Sequence, residues 1–348
     1  MGYLNNIEFI NTEDKSVGLY SNNVSDIFHS KTGALKEAKE KFIMPIKESG
    51  IEFCHEINIL DICYGIGYNT KSFLEFNSVA SNVNIDALEY DKNLLYISPL
   101  INDYINDDNL KLFLINSMIK TENDFNHFID ISELMLNEHF DFLSDFGKSF
   151  IKILLSEIYK YNPSTIKNSF LHNIYYNYIS ESMNNGLKFN NYNNVNFNYY
   201  LGDARKNIII LKKQYDVVFL DAFSSKKDST LWTIDFLSQV KSKMKKDSLL
   251  ISYSKSTPFR SALIELGFFV GKTLLKNKDM GTVASLNKFL IKNPLNDYDL
   301  KIISSRSGIP YRDKTLTLPH DNIIKNRETE SNSSDRISRT KLSKSLSL

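Results

Sequence analysis

Four acidic residues of this chain stand where an apolar, strand-like run gives out. Ile57–Ile62 carries Asp61 into the turn Cys63-Tyr64-Gly65-Ile66-Gly67, and Ile85–Leu88 ends in Glu89. Tyr199–Leu201 leads through Gly202 to Asp203 and Ala204, and Tyr215–Leu220 delivers Asp221, followed by Ala222 and Phe223. Glycine is needed where a backbone turns sharply and passes close to a ligand. The helix expected from Asn69 to Phe76 would present free N–H groups at its start. Glu89, about twenty residues beyond the turn, is placed to accept both hydroxyls of a ribose. Asp203, with the small Ala204 behind it, suits an adenine amino group. For Asp221 the competing role is the N-cap of a following helix. Its recurrence with Asp61, Glu89 and Asp203 favours a ligand site over a cap.

The turn alone is the least specific of these signals. Gly67 is followed by Tyr68, Asn69 and Thr70, so the dinucleotide fingerprint G-x-G-x-x-G is absent. A looser acid-x-G-x-G-x-G turn fits, with Cys63 in place of its first glycine. Tyr64, Gly65, Gly67 and Asn69 are the candidate ligand contacts there. Phe223 either flanks a planar base or packs in the core. Lys227, in the polar loop Ser224–Asp228, either clamps substrate phosphate or is simply solvated. Trp232 is expected to anchor a helix.

Strands must bring these residues to one edge. Val195–Leu201, Asp216–Leu220 and Ser248–Tyr253 read as strands, and Trp232–Met244 and Pro258–Leu266 as helices, the second stopped by Gly267. Such alternation implies a mainly parallel sheet with helices on both faces, an α/β Rossmann-like fold whose ligand lies at the carboxyl edge. Residues from about 101 to 190 are poor in glycine and carry Leu, Ile and Phe at helical spacing, which marks a helical insertion. The expected organisation is an N-terminal segment over 1–50, a Rossmann-like domain over 51–300 interrupted by that insertion, and a tail over 301–348, disordered from about Thr329.

The bulk numbers set limits. The chain has 348 residues, 42% hydrophobic and 24% charged, enough for a substantial core. No apolar run approaches the ~20 residues of a membrane span. Two cysteines, Cys54 and Cys63, make neither a disulfide framework nor a zinc site. No metal and no membrane association are expected, and the default location is cytoplasmic. No obligate protein partner is evident. The net charge is +1, but from Lys301 onward ten basic residues face five acidic ones, so the tail carries +5 and the preceding 300 residues −4. Such a tail either approaches RNA phosphates or is merely solvated.

The segment Asp221-Ala222-Phe223-Ser224-Ser225-Lys226-Lys227-Asp228-Ser229-Thr230-Leu231-Trp232 resembles the D-[AG]-F-[AS]-P-x-K-x-P-x-[LM]-W stretch of the MnmC methyltransferase domain. Asp26–Ala38 is similar to that family's N-terminal D-x-Y-F-x-x-x-x-G-x-x-E-[AT] segment, and Gly281–Ser285 and Gly308–Leu316 resemble segments of its stand-alone members. The resemblance spans about Val24 to Leu318. It departs at Cys63, at Ser225 and Ser229 in place of two prolines, and at Lys276-Asn277-Lys278, where the family carries a longer basic run.

The resemblance implies an S-adenosylmethionine-dependent methyltransferase acting on the 5-aminomethyl group of (2-thio)uridine 34 in tRNA, without the flavin-dependent oxidase of bifunctional relatives. Asp221 would orient the amine and accept its proton. Glu89 would hold the ribose, Asp203 the adenine, and Gly65 and Gly67 the methionine end. His29, Ser30 and Glu37 would close over methionine or uridine, and the insertion and tail would grip the anticodon arm. Three other readings compete: an aminopropyltransferase of the spermidine synthase type, a methyltransferase acting on a small-molecule or protein amine, and a non-catalytic RNA-binding protein.

Overall fold

Runs rich in β-branched and aromatic residues become strands, and the residue that ends each run is the one the strand delivers to the sheet edge. The structure, a computed structural model, describes residues 6–28, 32–53, 55–77, 82–160 and 192–346. They fall into two compact units: Met1–Glu37 with Tyr64–Asn82 and Asp91–Tyr199, and Ala38–Cys63 with Val83–Tyr90 and Tyr200–Leu348.

In the first unit, β1 (Ile7–Asn11), β2 (Val17–Ser21) and β3 (Asp26–Ile27) form a small antiparallel sheet. The β1–β2 turn caps α1 (Ala34–Glu37). Ser16 Oγ accepts the N–H groups of Ala34 and Leu35, and Asp14 Oδ2 accepts that of Lys36 at 2.9 Å. These are the N–H groups that a helix leaves orphaned at its start. The chain then enters the second unit through a π-helical stretch, Ala38–Ile43, and α2 (Met44–Ser49), which ends at the left-handed Gly50. Further helices of the first unit are α3 (Tyr68–Phe76), α4 (Lys92–Ile97), α5 (Asp108–Met118), α6 (Glu122–Glu138) and α7 (Asp145–Lys160). The last three occupy the region expected to be a helical insertion; residues 161–191 lie outside the described residues. Thr121 and Asp124 form a reciprocal capping box at the start of α6, satisfying two orphan donors.

The larger sheet has seven strands in the order β6-β5-β4-β7-β8-β10-β9. They are β4 (Glu56–Ile62), β5 (Asn82–Glu89), β6 (Val195–Leu201), β7 (Tyr215–Leu220), β8 (Met244–Ser252), β9 (Phe269–Leu275) and β10 (Lys278–Ser285). β4, β7 and β8 run parallel, and β10 is antiparallel to both β8 and β9. This is the Rossmann-like sheet expected from the sequence. The strand order reverses at β4, which lies between β5 and β7, and ligands of open α/β sheets bind beside such a point. The core of the second unit packs Leu60, Val218, Leu250, Trp232, Phe236 and Phe259 together. Trp232 belongs to a 3₁₀ turn, Thr230–Trp232. The helix expected from it begins at Ile234, because Thr233 Oγ1 caps the Phe236 N–H.

Helices α8 (Ala204–Ile210), α9 (Ile234–Ser242), α10 (Thr257–Glu265), α11 (Asp297–Ser304), α12 (His320–Ser333) and α13 (Arg339–Leu346) complete the second unit. The C-terminal stretch expected to be disordered from about Thr329 is instead helical there. Ile323 is fully buried, Arg327 donates to the carbonyls of Ile309 and Ser307, and Arg312 pairs with Glu330. Polar composition concealed a few anchoring side chains, and several of the basic residues that gave the tail its charge are committed to holding it down.

An ion pair closes the interior of the first unit. Lys71 on α3 is fully buried; its Nζ donates to Asp103 at 2.7 Å and to the Ser98 carbonyl at 2.6 Å. Burial pulls the Lys71 pKa down, and Asp103 opposes it. Removing one partner of such a pair leaves an uncompensated charge in the interior. Asp103→Asn should therefore destabilise the protein by about 3–5 kcal/mol in urea denaturation. A loss below about 1 kcal/mol, the range of a solvent-exposed pair, would show that Lys71 does not depend on Asp103.

Candidate functional site

The apolar strands β4, β5 and β7 carry Asp61, Glu89 and Asp221 to their carboxyl ends, and backbone bonds tie those ends together. Cys63 N donates to Leu88 O at 3.0 Å, Asp221 N to Ile62 O at 3.2 Å, and Gly202 N to Glu89 O at 2.8 Å. Asp61 and Glu89 are buried, while Asp221 and Phe223 are half-buried.

The charges of the acids converge on one residue. Burial, and after it the carboxylates of Glu89, Asp221, Asp228 and Asp61, push the Cys63 thiol well above its usual pKa. Cys63 is therefore a neutral thiol, the opposite of an activated nucleophile. Its importance is conformational. Cys63 has φ 65°, and Gly65 and Gly67 follow at 58° and 78°. The position where the turn lacks its first glycine thus still adopts the left-handed backbone that glycine would take without strain.

Residues Tyr64–Gly67 belong to the first unit and are held within it. Gly67 N donates to Tyr64 O at 2.9 Å, and a Cβ on Gly67 would run into the Tyr64 ring. Ser98 holds the turn from behind. Its Oγ donates to the Ile66 carbonyl at 2.8 Å and lies 3.3 Å from Tyr64 Oη, while its own carbonyl accepts from Lys71. The buried ion pair therefore sits directly behind the glycine turn. Asn69 is buried in the first turn of α3. Nothing in the sequence around Ser98 marks this role, because it depends on a fold contact 32 residues away in the chain.

Among the remaining candidates, Asp203 caps α8. Its Oδ1 accepts the Arg205 N–H, and its carboxylate takes the Arg205 guanidinium at 2.8–3.1 Å. The cap role weighed for Asp221 is thus filled by Asp203. Asp221 starts no helix; the next α-helix is capped by Thr233. Ala204 is buried behind Asp203. The loop after Asp221 is pinned by two aromatic donors. Trp232 Nε1 donates to Phe223 O and Tyr253 Oη to Ala222 O, each at 2.8 Å. Lys227 is exposed in that loop. Glu37 ends α1 in the first unit. His29 and Ser30 lie outside the described residues. Two further residues carry no mark in the sequence. Asp228 adds its charge at Cys63 while accepting from Thr230. Tyr90 is 80% exposed immediately after Glu89 and donates its N–H to Glu89 Oε1. Among the described residues no group of three His, Cys, Asp or Glu side chains could hold a metal ion, and no helix is long and apolar enough to cross a membrane.

With this geometry in place, the likenesses to known proteins become interpretable. Residues 167–287 match the model of a family of S-adenosyl-L-methionine-dependent methyltransferases. A Methanocaldococcus jannaschii protein of uncharacterised function is 33% identical over 321 residues, which is 92% of this chain and 71% of that protein. The crystal structure of MnmC2 from Aquifex aeolicus superposes with a TM-score of 0.60 at 24% identity, covering 94% of this chain and 86% of the other. The chain belongs to one family with the Methanocaldococcus jannaschii protein, its residues 167–287 carry the S-adenosyl-L-methionine-dependent methyltransferase signature, and the likeness to MnmC2 is one of fold. The residues present fit that cofactor. A buried carboxylate ends β5 and can accept from a ribose diol, Gly65 and Gly67 add no side chain at two left-handed positions of the turn, and the carboxylates acting on Cys63 favour a sulfonium cation.

A left-handed backbone at a side-chain-bearing residue costs about 1–2 kcal/mol. Cys63→Gly should therefore hold or raise stability, by up to about 1 kcal/mol once the freer unfolded chain is counted. Cys63→Val should lose about 1–3 kcal/mol, since β-branched residues resist positive φ. Denaturation of both variants checks this; a Val variant as stable as the Gly variant would mean that the turn carries no strain at Cys63.

Proposed function

We propose that the protein is a cytoplasmic tRNA-modifying enzyme that transfers a methyl group to the 5-aminomethyl nitrogen of (2-thio)uridine 34. The observation that carries this reading is the delivery of Asp221 by an apolar strand to the sheet edge where Glu89 and Asp61 also converge, at the head of the Asp221–Trp232 segment. Likeness in fold to MnmC2 supports the same class of chemistry.

When bound, S-adenosylmethionine supplies an electrophilic methyl carbon whose bond to sulfur breaks as the bond to nitrogen forms. The chain's task is to place the amine in line and keep it unprotonated. Asp221 accepts a hydrogen bond from the aminomethyl nitrogen and takes up the proton released on methylation. Its placement by pinned backbone at both Ala222 and Phe223 restricts how the carboxylate can turn. Glu89 accepts the ribose hydroxyls, and the exposed Tyr90 ring beside it offers a face for adenine. Asp203, with Ala204, contributes acceptor capacity for the adenine amino group that Arg205 leaves over. Tyr64, Gly65, Gly67 and Asn69 line the methionine end, and Phe223 flanks the reacting group. Glu37 and Lys227, with His29 and Ser30, contact the nucleotide. A wobble base must leave the anticodon stack to reach such an edge.

Incubating the protein with S-adenosylmethionine and tRNA that carries 5-aminomethyluridine should convert that nucleoside to its N-methyl form, read by mass spectrometry of the digested tRNA. Asp221→Ala should lower the rate by at least about 100-fold, the usual worth of a positioned base, while cofactor affinity measured by calorimetry changes little. Conversion by the variant at the wild-type rate would remove Asp221 from the reaction.

A further inference from the structure

The β9–β10 hairpin was not anticipated from the sequence, and its position gives its lysines a consequence. Lys276 and Asn277 form its turn, with φ 48° and 63°, the left-handed pair that closes a tight hairpin. Because β10 is antiparallel to β8, with Thr282 opposite Ser252 and Ala284 opposite Leu250, the turn projects beyond the carboxyl end of β8. β8 in turn is parallel to β7, with Phe219 opposite Ile251. The hairpin turn, the loop after β8 and the loop after Asp221 therefore leave the sheet at the same edge. They carry Lys276 and Lys278, Lys255, and Lys226 and Lys227 respectively, and all five are exposed.

The hairpin is rigidly mounted. Arg260 on α10 is buried, and its guanidinium donates to Thr282 Oγ1 at 2.9 Å, to Gly281 O at 2.9 Å and to Asp279 Oδ1 at 3.0 Å, with a second bridge to Asp279 Oδ2. This offsets the one acid of the hairpin. Lys255 Nζ reaches the Asp279 carbonyl at 3.3 Å, which places it at the foot of the turn. Five exposed lysines thus leave the sheet at the edge where Asp61, Glu89 and Asp221 end their strands. The acids at the strand ends suit a small cation, whereas the lysines on the loops suit a polyanion.

We propose that Lys255, Lys276 and Lys278, together with Lys226 and Lys227, grip successive phosphates of an RNA backbone along this edge. The inference rests on the RNA-substrate reading above and says where on the chain the RNA lies. It moves the main electrostatic contact away from the C-terminal tail, where Arg306, Arg312 and Arg327 are engaged with backbone carbonyls and carboxylates of their own unit.

The test compares two triple variants of the full chain carrying equal charge changes. One is Lys255→Gln/Lys276→Gln/Lys278→Gln. The other is Lys246→Gln/Lys288→Gln/Lys292→Gln, whose exposed lysines lie at or beyond the amino end of β8 and the far end of β10, at the opposite edge. The probe is a fluorescein-labelled anticodon stem-loop RNA titrated at several salt concentrations. Phosphate contacts appear as a slope of affinity against salt, and each lysine lost should lower it by about one. The rim variant is expected to bind at least about tenfold more weakly near 0.1 M salt and to lose about three units of slope, and the opposite-edge variant to bind as the wild type. Equal losses in both variants, or none in the rim variant, would overturn the proposal. The two readings fail differently. Wild-type protein that binds the stem-loop through the rim yet methylates no tRNA overturns the tRNA-substrate reading and leaves the rim. Protein that methylates tRNA with an intact salt slope in the rim variant does the reverse.

Discussion

Forcing like charges together is the constraint on which the second unit turns. Carboxylates at neighbouring strand ends repel one another, and in water they would separate. Strands that are apolar along nearly their whole length remove that freedom. β4 and β7 bury almost every side chain on both faces, so a change of register would have to repack both sides of the sheet. The end of each strand, and hence Asp61 and Asp221, goes where the core demands. Acids held together this way raise the Cys63 thiol and make the edge more welcoming to a cation than to an anion.

The same physics sorts the acids of this chain into two kinds. Asp86 is buried but accepts from Tyr215 Oη and Lys213. Asp216 takes Lys245, Asp103 takes Lys71, and Asp313 takes Arg205. Each of these carboxylates has a cation beside it and serves the fold. Asp61, Glu89, Asp221 and Asp228 stand at the carboxyl edge, where each raises the Cys63 thiol. Sequence alone treats Asp86 and Glu89 alike, because both stand in one strand three residues apart. Their difference is which end of the strand they reach and which cation the fold brings there.

This explains what was legible. The strands and the glycine turn could be read because burial writes apolar runs and left-handed positions write glycine. The acids at strand ends followed from them. Asp203 was visible as a candidate, but its cap and its Arg205 pair depend on the helix that starts beside it. The helix past Thr329 was missed because a polar composition says nothing of a single buried Ile323 and an arginine that reaches a carbonyl 18 residues back. Ser98 was invisible for a stronger reason: its role exists only through tertiary contacts to Ile66, Tyr64 and Lys71. Cys63 looked like a defect in the turn, yet its backbone takes the conformation of the glycine it replaces.

Charge at this edge is organised by distance, and the whole-chain sum hides it. The net charge of +1 carries no trace of the acids at the strand ends or of the lysines on the loops beyond them. At physiological salt the screening length is about 8 Å, so a ligand at the rim and a ligand in the interior meet different local potentials. Buried carboxylates are screened less than exposed ones, which keeps the interior attractive to a cation while the exposed lysines act on a polyanion outside. The separation also resolves an apparent conflict. Under the proposed function, an RNA backbone calls for positive charge, whereas activating an amine for methylation calls for a nearby carboxylate. Placing the acids at the ends of buried strands and the lysines on the loops beyond them lets one edge of one sheet meet both demands.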